Sequence, residues 1–380
     1  MKRKKLKAFL SMALMMLAGV IAGLALGFAA GHYLDSPSSD GSLSDLLLIF
    51  AGLMFSMYLA AYVQIILHEI GHLIFGLLTG YRFVSFRIGS VMLIRRGGRL
   101  KLCRFSLAGT GGQCIMDPPG ELGRDLPVML YNFGGVIMNL LSVLLALPLL
   151  ACLPDIPMLR LFLLSFALFG FVFALTNGIP LKGKVNNDGS NAFALRKNAA
   201  ARRSIWIQLK GNALIAQGVP TQDMPEEWFV LPSDEEMKNS IVAPLGPLCS
   251  DRLMAQHRFR EAAQLQDQLL RGDNAIVPVH RALLVNDRVF CEIMGDSNAE
   301  VIDALMTKET RRLLDALKSI PSVWRTRYAC ALTVHPDEKA AANALRQFEK
   351  IAASYPYPAE LAHERSLITL VEEKNASSAQ

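Results

Sequence analysis

Four long stretches without a charged side chain, at residues 8–31, 46–67, 126–153 and 161–181, limit what this chain can become. A hydrocarbon core of about 30 Å is crossed by roughly 20 apolar residues in a helix, and each stretch reaches that length. Core helices of a soluble domain are shorter, so the pattern predicts four membrane spans. The first stretch follows Met-Lys-Arg-Lys-Lys-Leu-Lys. It exceeds the ~7–15 apolar residues of a secretory leader and is read as an uncleaved anchor. Beyond residue 189 the chain turns charged and polar, although 52% of all residues are hydrophobic. The expected fold class is an α-helical polytopic membrane protein with about four spans, a small β-rich loop and an all-α soluble C-terminal domain of helical hairpins.

Loop charges give an orientation. The loop after the first span carries Asp35, Asp40 and Asp45 and no Lys or Arg. The loop after the second carries Arg82, Arg87, Arg95, Arg96, Arg99, Lys101, Arg104 and Arg124. The positive-inside rule then predicts a multi-pass protein of the cell membrane with both termini cytoplasmic. The net charge of +6 sits in such short basic clusters rather than in a stripe with interleaved aromatics. The expected charge partner is the lipid bilayer, and no nucleic acid is expected. Six scattered cysteines with no CxxC pair argue against a disulfide framework or a thiolate metal site.

The second span runs into His68-Glu69-Ile70-Gly71-His72. Histidines at i and i+4 share one helix face and can reach one ion. The glutamate between them is suited to take a proton from a zinc-bound water, the division of labour in HExxH hydrolases. Two imidazoles and a carboxylate at the end of an apolar span are costly unless they have a task. A catalytic zinc has three protein ligands and an open position, so one ligand is still missing. Residues 73–80 contain no candidate. Asp188 follows the last span and a Pro180-broken helix end, and the orientation returns it to the face of the HExxH motif. Asn139, within the third span, is suited either to hydrogen-bond a developing oxyanion or to join helices. Asn132 is assigned to packing.

These residues resemble the site-2 protease family of intramembrane metalloproteases. The resemblance rests on the HExxH at 68–72, Phe133-Gly134-Gly135-Val136-Ile137-Met138-Asn139, and Asn177-Gly178-Ile179-Pro180 with Asn186-Asn187-Asp188-Gly189. It implies a three-span core over 44–192, Zn2+ held by His68, His72 and Asp188, and Glu69 as the base. The family's compact Asn-Pro-x-Pro-x-Leu-Asp-Gly stretch is replaced by a longer insert with Lys182 and Lys184. Its Gly-Pro-x-x-Asn on the middle span is a Gly-Gly version ending at Asn139. The loop 81–125 holds β-rich fragments at 83–88, 91–94 and 100–107, which in similar proteases present an unwound substrate strand to the zinc; binding headgroups through its arginines is the other reading.

The expected organisation is an anchor at 1–34, the protease core at 44–192 and a helix with linker at 193–236. A helical-repeat-like cytoplasmic domain at 237–380 completes it. Helical segments near 257–270, 299–317 and 337–355 recur at about 40 residues and resemble tetratricopeptide-type hairpins. Such a solenoid offers a surface to a protein or peptide partner. The function expected is a zinc metalloendopeptidase acting on membrane-embedded or membrane-proximal substrates, such as membrane proteins, signal peptides or propeptides. The alternative is a catalytically inactive membrane adaptor acting through its C-terminal helices.

Overall fold

The computed structural model describes residues 42–106, 110–122, 126–152, 156–180 and 186–378, together with Gly27 and Gly31. The first expected span, at 8–31, lies outside the described residues apart from those two glycines. The chain is mostly helical with one small antiparallel sheet, and it divides into two units, residues 1–81 with 127–197 and residues 82–126 with 198–380.

In the first unit three helices are long and apolar enough to cross a membrane: α1 (Leu43–Leu78), α2 (Val128–Cys152) and α3 (Pro157–Gly178). The Ser42 hydroxyl caps α1 by accepting from the Asp45 amide, 3.2 Å away. Past the Thr79 cap the chain turns away at Gly80, whose φ of 88° is the left-handed conformation that glycine adopts without strain. Leu47, Leu48, Phe50, Leu144 and Leu145 all point outward and exposed, as expected of helices with lipid rather than water around them. Between helices, small residues replace bulk. A Cβ on Gly71 of α1 would strike the Gly134 carbonyl and sit 2.8 Å from the Gly135 Cα, so the two backbones touch. A short helix, α4 (Asp188–Lys197), completes the unit. Where one helix is expected at the start of 193–236, there are two, because the Asn198 side chain accepts from the Ala201 amide and starts α5 (Ala199–Gln217).

The second unit begins with strands β1 (Arg82–Ile88), β2 (Val91–Arg96), β3 (Arg99–Arg104) and β4 (Gly112–Asp117). They form an antiparallel sheet in the order β3-β2-β1-β4. Strand β4 was not among the expected fragments, since its flanking glycines and prolines read as loop. Val84, Met92, Ile94 and Ile115 are buried with Ala213 and Ala216 of α5, and Lys210 of α5 meets Asp117 at 2.7 Å. This shared core is why the β-rich segment groups with the C-terminal half and not, as expected, with the 44–192 core. Arg87 is turned inward, donating to the Gly89 carbonyl at 2.7 Å, so it is not free for headgroups.

The C-terminal helices are α6 (Leu245–Ala255), α7 (Phe259–Arg271), α8 (Pro278–Met294), α9 (Ala299–Leu305), α10 (Lys308–Ala316), α11 (Pro321–Ala329), α12 (Glu338–Ala352) and α13 (Pro358–Ser378). The segment expected over 299–317 is divided at Thr307, whose hydroxyl accepts from the Thr310 amide. Phe290, Val289, Ile293, Ala329, Leu367 and Val371 build the main core. Beside it, Arg325 is 1% exposed and pairs with Asp287 at 2.5 Å and Glu364 at 3.0 Å. They line a cavity of about 420 Å³ together with Asp251 and Glu360.

Two stability outcomes follow. Gly71→Ala is expected to cost about 1–3 kcal/mol through overpacking against unyielding backbone, read as a lower melting temperature in detergent. Gly52→Ala, which meets only the flexible end of Met158, is expected to cost far less. Burial pushes the Glu364 carboxyl up to about 7, with Arg325 acting against it. A carboxyl whose folded pKa lies above its unfolded value contributes stability below the unfolded value and loses it as pH rises through the folded one. Between pH 5 and 8 the wild type is therefore expected to lose stability relative to Glu364→Gln, measured by denaturant unfolding at four pH values.

Candidate metal centre

The α-helical turn from His68 to His72 puts both imidazoles on one side of α1, with ring centroids 4.8 Å apart. Each ring is held from its far side. His72 Nδ1 donates to the Tyr131 carbonyl of α2 at 2.8 Å. His68 Nδ1 donates to Asn139 Oδ1 of α2 at 2.7 Å. The glycine pair on α2 makes room for this, since a Cβ on Gly135 would collide with the His68 ring.

Asp188 arrives from the other end of the unit. It opens α4, and Asn187 before it ties the chain back to the end of α3. Asn187 Nδ2 donates to the carbonyls of Thr176 and Ile179, both at 2.6 Å, while its Oδ1 accepts from the Ser190 amide at 3.0 Å. A Cβ on Gly189 would run into the Gly178 carbonyl, so only glycine allows α4 to sit this close to α3. The Lys182–Lys184 insert lies in 181–185, outside the described residues, and does not carry Asp188 away from the histidines.

The result is three ligand atoms facing one point. His68 Nε2 lies 3.0 Å and His72 Nε2 3.5 Å from Asp188 Oδ2, and the two Nε2 atoms are 3.2 Å apart. All three side chains are largely buried, at 12%, 12% and 22% exposure. With both Nδ1 atoms committed as donors, imidazoles in the neutral form would aim their Nε2 lone pairs at a carboxylate. Such a set repels itself unless positive charge sits in the middle. Burial pushes the Asp188 carboxyl up, and the hydrogen bonds and charge of His68 and His72 outweigh that and hold it well below the usual carboxylate range. The charge it faces is either protons on the rings or a cation among them. Ligands about 2.0–2.1 Å from a tetrahedral zinc stand roughly 3.3 Å from one another, which these separations fit. Among the described residues this is the one group of three such side chains close enough to hold an ion.

Glu69 is half-buried on the same helix. Asn139 is fully buried, and its Nδ2 donates to the backbone carbonyl and Oε1 of Gln64 at 3.1 and 2.8 Å. Both amide hydrogens are thus engaged between helices, and its oxygen holds His68. In this arrangement Asn139 joins α1 and α2, the second of the two tasks open to it from the sequence. Asn132 bonds within its own helix, to the Val128 carbonyl. Sequence reading missed Tyr131, which acts through its backbone and so leaves no side-chain signal. It missed Asn187 too, although an Asn directly before a helix start is a capping signal. Comparison with protein-family models, curated proteins and solved structures finds no match to this chain.

The full-length chain purified in detergent is expected to bind one zinc equivalent, measured by elemental analysis after dialysis. Asp188→Asn and Gly189→Ala should both weaken it by tenfold or more, as ligand and supporting-contact losses do. Retention of wild-type affinity in Asp188→Asn would remove Asp188 from the ligand set.

Proposed function

We propose that this chain is a multi-pass membrane zinc endopeptidase of the site-2 type, cleaving membrane-embedded or membrane-proximal peptide bonds. The observation that carries this reading is the convergence of His68, His72 and Asp188 from two helices onto one ion-sized point, beside Glu69 in an HExxH turn. Two nitrogens and one carboxylate oxygen are a donor set zinc accepts in hydrolases, with one position left for water or substrate.

Zinc held there supplies Lewis acidity to a peptide carbonyl and acidifies water. The chain's own residues do the rest. Glu69, next to His68, takes the proton of the attacking water and returns it to the departing amine. Tyr131 and Asn139 hold the rings in the tautomer that leaves Nε2 open. Burial within apolar helices keeps the site dry enough for these charges to act strongly. Among the described residues β3 lies at one edge of its sheet, and a strand edge can pair with an extended peptide. The basic second loop and acidic first loop support a reading with the termini and the second loop on the cytoplasmic side, and in it the C-terminal helices offer their surface to a protein or peptide.

Glu69→Gln is expected to lower cleavage of a co-expressed membrane substrate by about 10²–10⁴-fold while zinc stays bound. Immunoblotting of the substrate together with metal analysis of the variant reads both. Unchanged cleavage would end the protease reading and leave an adaptor working through the C-terminal helices.

A further inference from the structure

We propose that Gln64 is a positioning residue for the metal centre: it orients the Asn139 amide and thereby sets which nitrogen of His68 faces the ion. The inference rests on the zinc reading above.

Gln64 lies one helical turn before His68 on α1 and is fully buried. An uncompensated amide among apolar spans is costly, so the partners of each end matter. Its Nε2 donates to the backbone carbonyl of Phe166 on α3 at 2.9 Å and to Ser142 Oγ on α2 at 2.9 Å. A backbone carbonyl can only accept. Phe166 therefore decides which end of the Gln64 amide carries nitrogen, and Oε1 must turn toward Asn139. There it accepts from Asn139 Nδ2 at 2.8 Å, and the Gln64 backbone carbonyl accepts from the same group at 3.1 Å. The Asn139 oxygen is left facing His68 Nδ1 at 2.7 Å.

An acceptor at Nδ1 requires the ring hydrogen there, so the Nε2 lone pair points at Asp188 and His72. Were Asn139 reversed, its N–H would face Nδ1. That favours the tautomer with hydrogen on Nε2, which cannot ligate through that atom. A ligating histidine whose second nitrogen is held by an outer partner is a recurring arrangement in metal sites. Here the choice is passed from α3 through Gln64 and Asn139 to the ring. Packing reserves the place: a Cβ on Gly170 of α3 would lie 2.6 Å from Gln64 Nε2 and 3.1 Å from its Cδ.

A buried glutamine can instead simply join helices. That role affects stability and has no reason to touch ion affinity in particular. The two are separated by asking whether Asn139 still needs orienting. A carboxylate presents two equivalent oxygens, so in Asn139→Asp one of them faces His68 with no end to choose, while the other faces Gln64 Oε1, an acceptor contact that Gln64→Leu relieves.

The test uses the full-length chain in nanodiscs, with zinc affinity measured by competition against a chromogenic chelator. Gln64→Leu is expected to weaken zinc about tenfold, the low end of outer-partner losses, because the Gln64 backbone carbonyl still accepts from Asn139. In the Asn139→Asp background the same substitution is expected to cost less than about twofold. Cobalt(II) in place of zinc gives a visible spectrum that should change in Gln64→Leu and return in the double variant. Gly170→Ala crowds Nε2 without removing it and should shift affinity in the same direction, which serves if Gln64→Leu does not fold. An equal loss in both backgrounds, or a lower melting temperature with wild-type zinc affinity, would overturn the proposal and leave a helix-joining amide. A wild type that holds no zinc would overturn the metal reading and this inference with it. A chain that binds zinc as described but cleaves nothing would sink the protease reading alone.

Discussion

The backbones of α1 and α2 meet at Gly71, Gly134 and Gly135, and the position of each imidazole depends on that contact. Lipid tails are as apolar as leucine, so helices in a membrane gain little from hiding leucine against leucine. Close backbone approach and interhelical hydrogen bonds hold them instead. In this chain the same approach brings the Tyr131 carbonyl and the Asn139 amide within reach of His72 and His68. Packing and ligand orientation are therefore one requirement. A bulkier residue at Gly71 or Gly134 would push the two backbones apart, and one at Gly135 would displace the His68 ring itself.

The third side chain of the cluster is held by different means. Asp188 sits on a short helix after an interrupted stretch, and two hydrogen bonds from the Asn187 side chain to the end of α3 bring it home. The length of the intervening segment matters little when its last residue is tied to the helix it left. The first turn of α4 then directs the carboxylate toward the histidines, and Gly189 permits the approach.

Features governed by local spacing were legible in the sequence. The HExxH turn follows from helical periodicity, and three spans follow from length and the absence of charge. The approach of Asp188 to the histidines was legible only through topology, since an Asp-Gly pair by itself reads as a turn. Gln64 carried no signal because its meaning lies in Phe166 and Asn139, each more than seventy positions away. Strand β4 was hidden by the Gly111-Gly112 and Pro118-Pro119 pairs that bound it, and its place is assigned by pairing with β1. The break at Asn198 shows a side chain competing with a helical pattern that otherwise continues across it. The grouping of the sheet with the C-terminal half depends on Ala213 and Ala216, residues too small and ordinary to announce a partner.

The sheet and its covering helix are separated in the chain by two spans, residues 127–197 intervening. On the ribosome, strands β1 to β4 emerge first, and their apolar face, with Met92, Ile94 and Ile115, waits for α5. At ~5–20 residues per second the wait lasts on the order of seconds, during which both spans must be threaded into the bilayer. The sheet therefore cannot be covered by α5 before residues 127–197 have been made. Order of synthesis thus sets an order of folding: a covered sheet reports that the helices bearing His68, His72 and Asp188 have already been made.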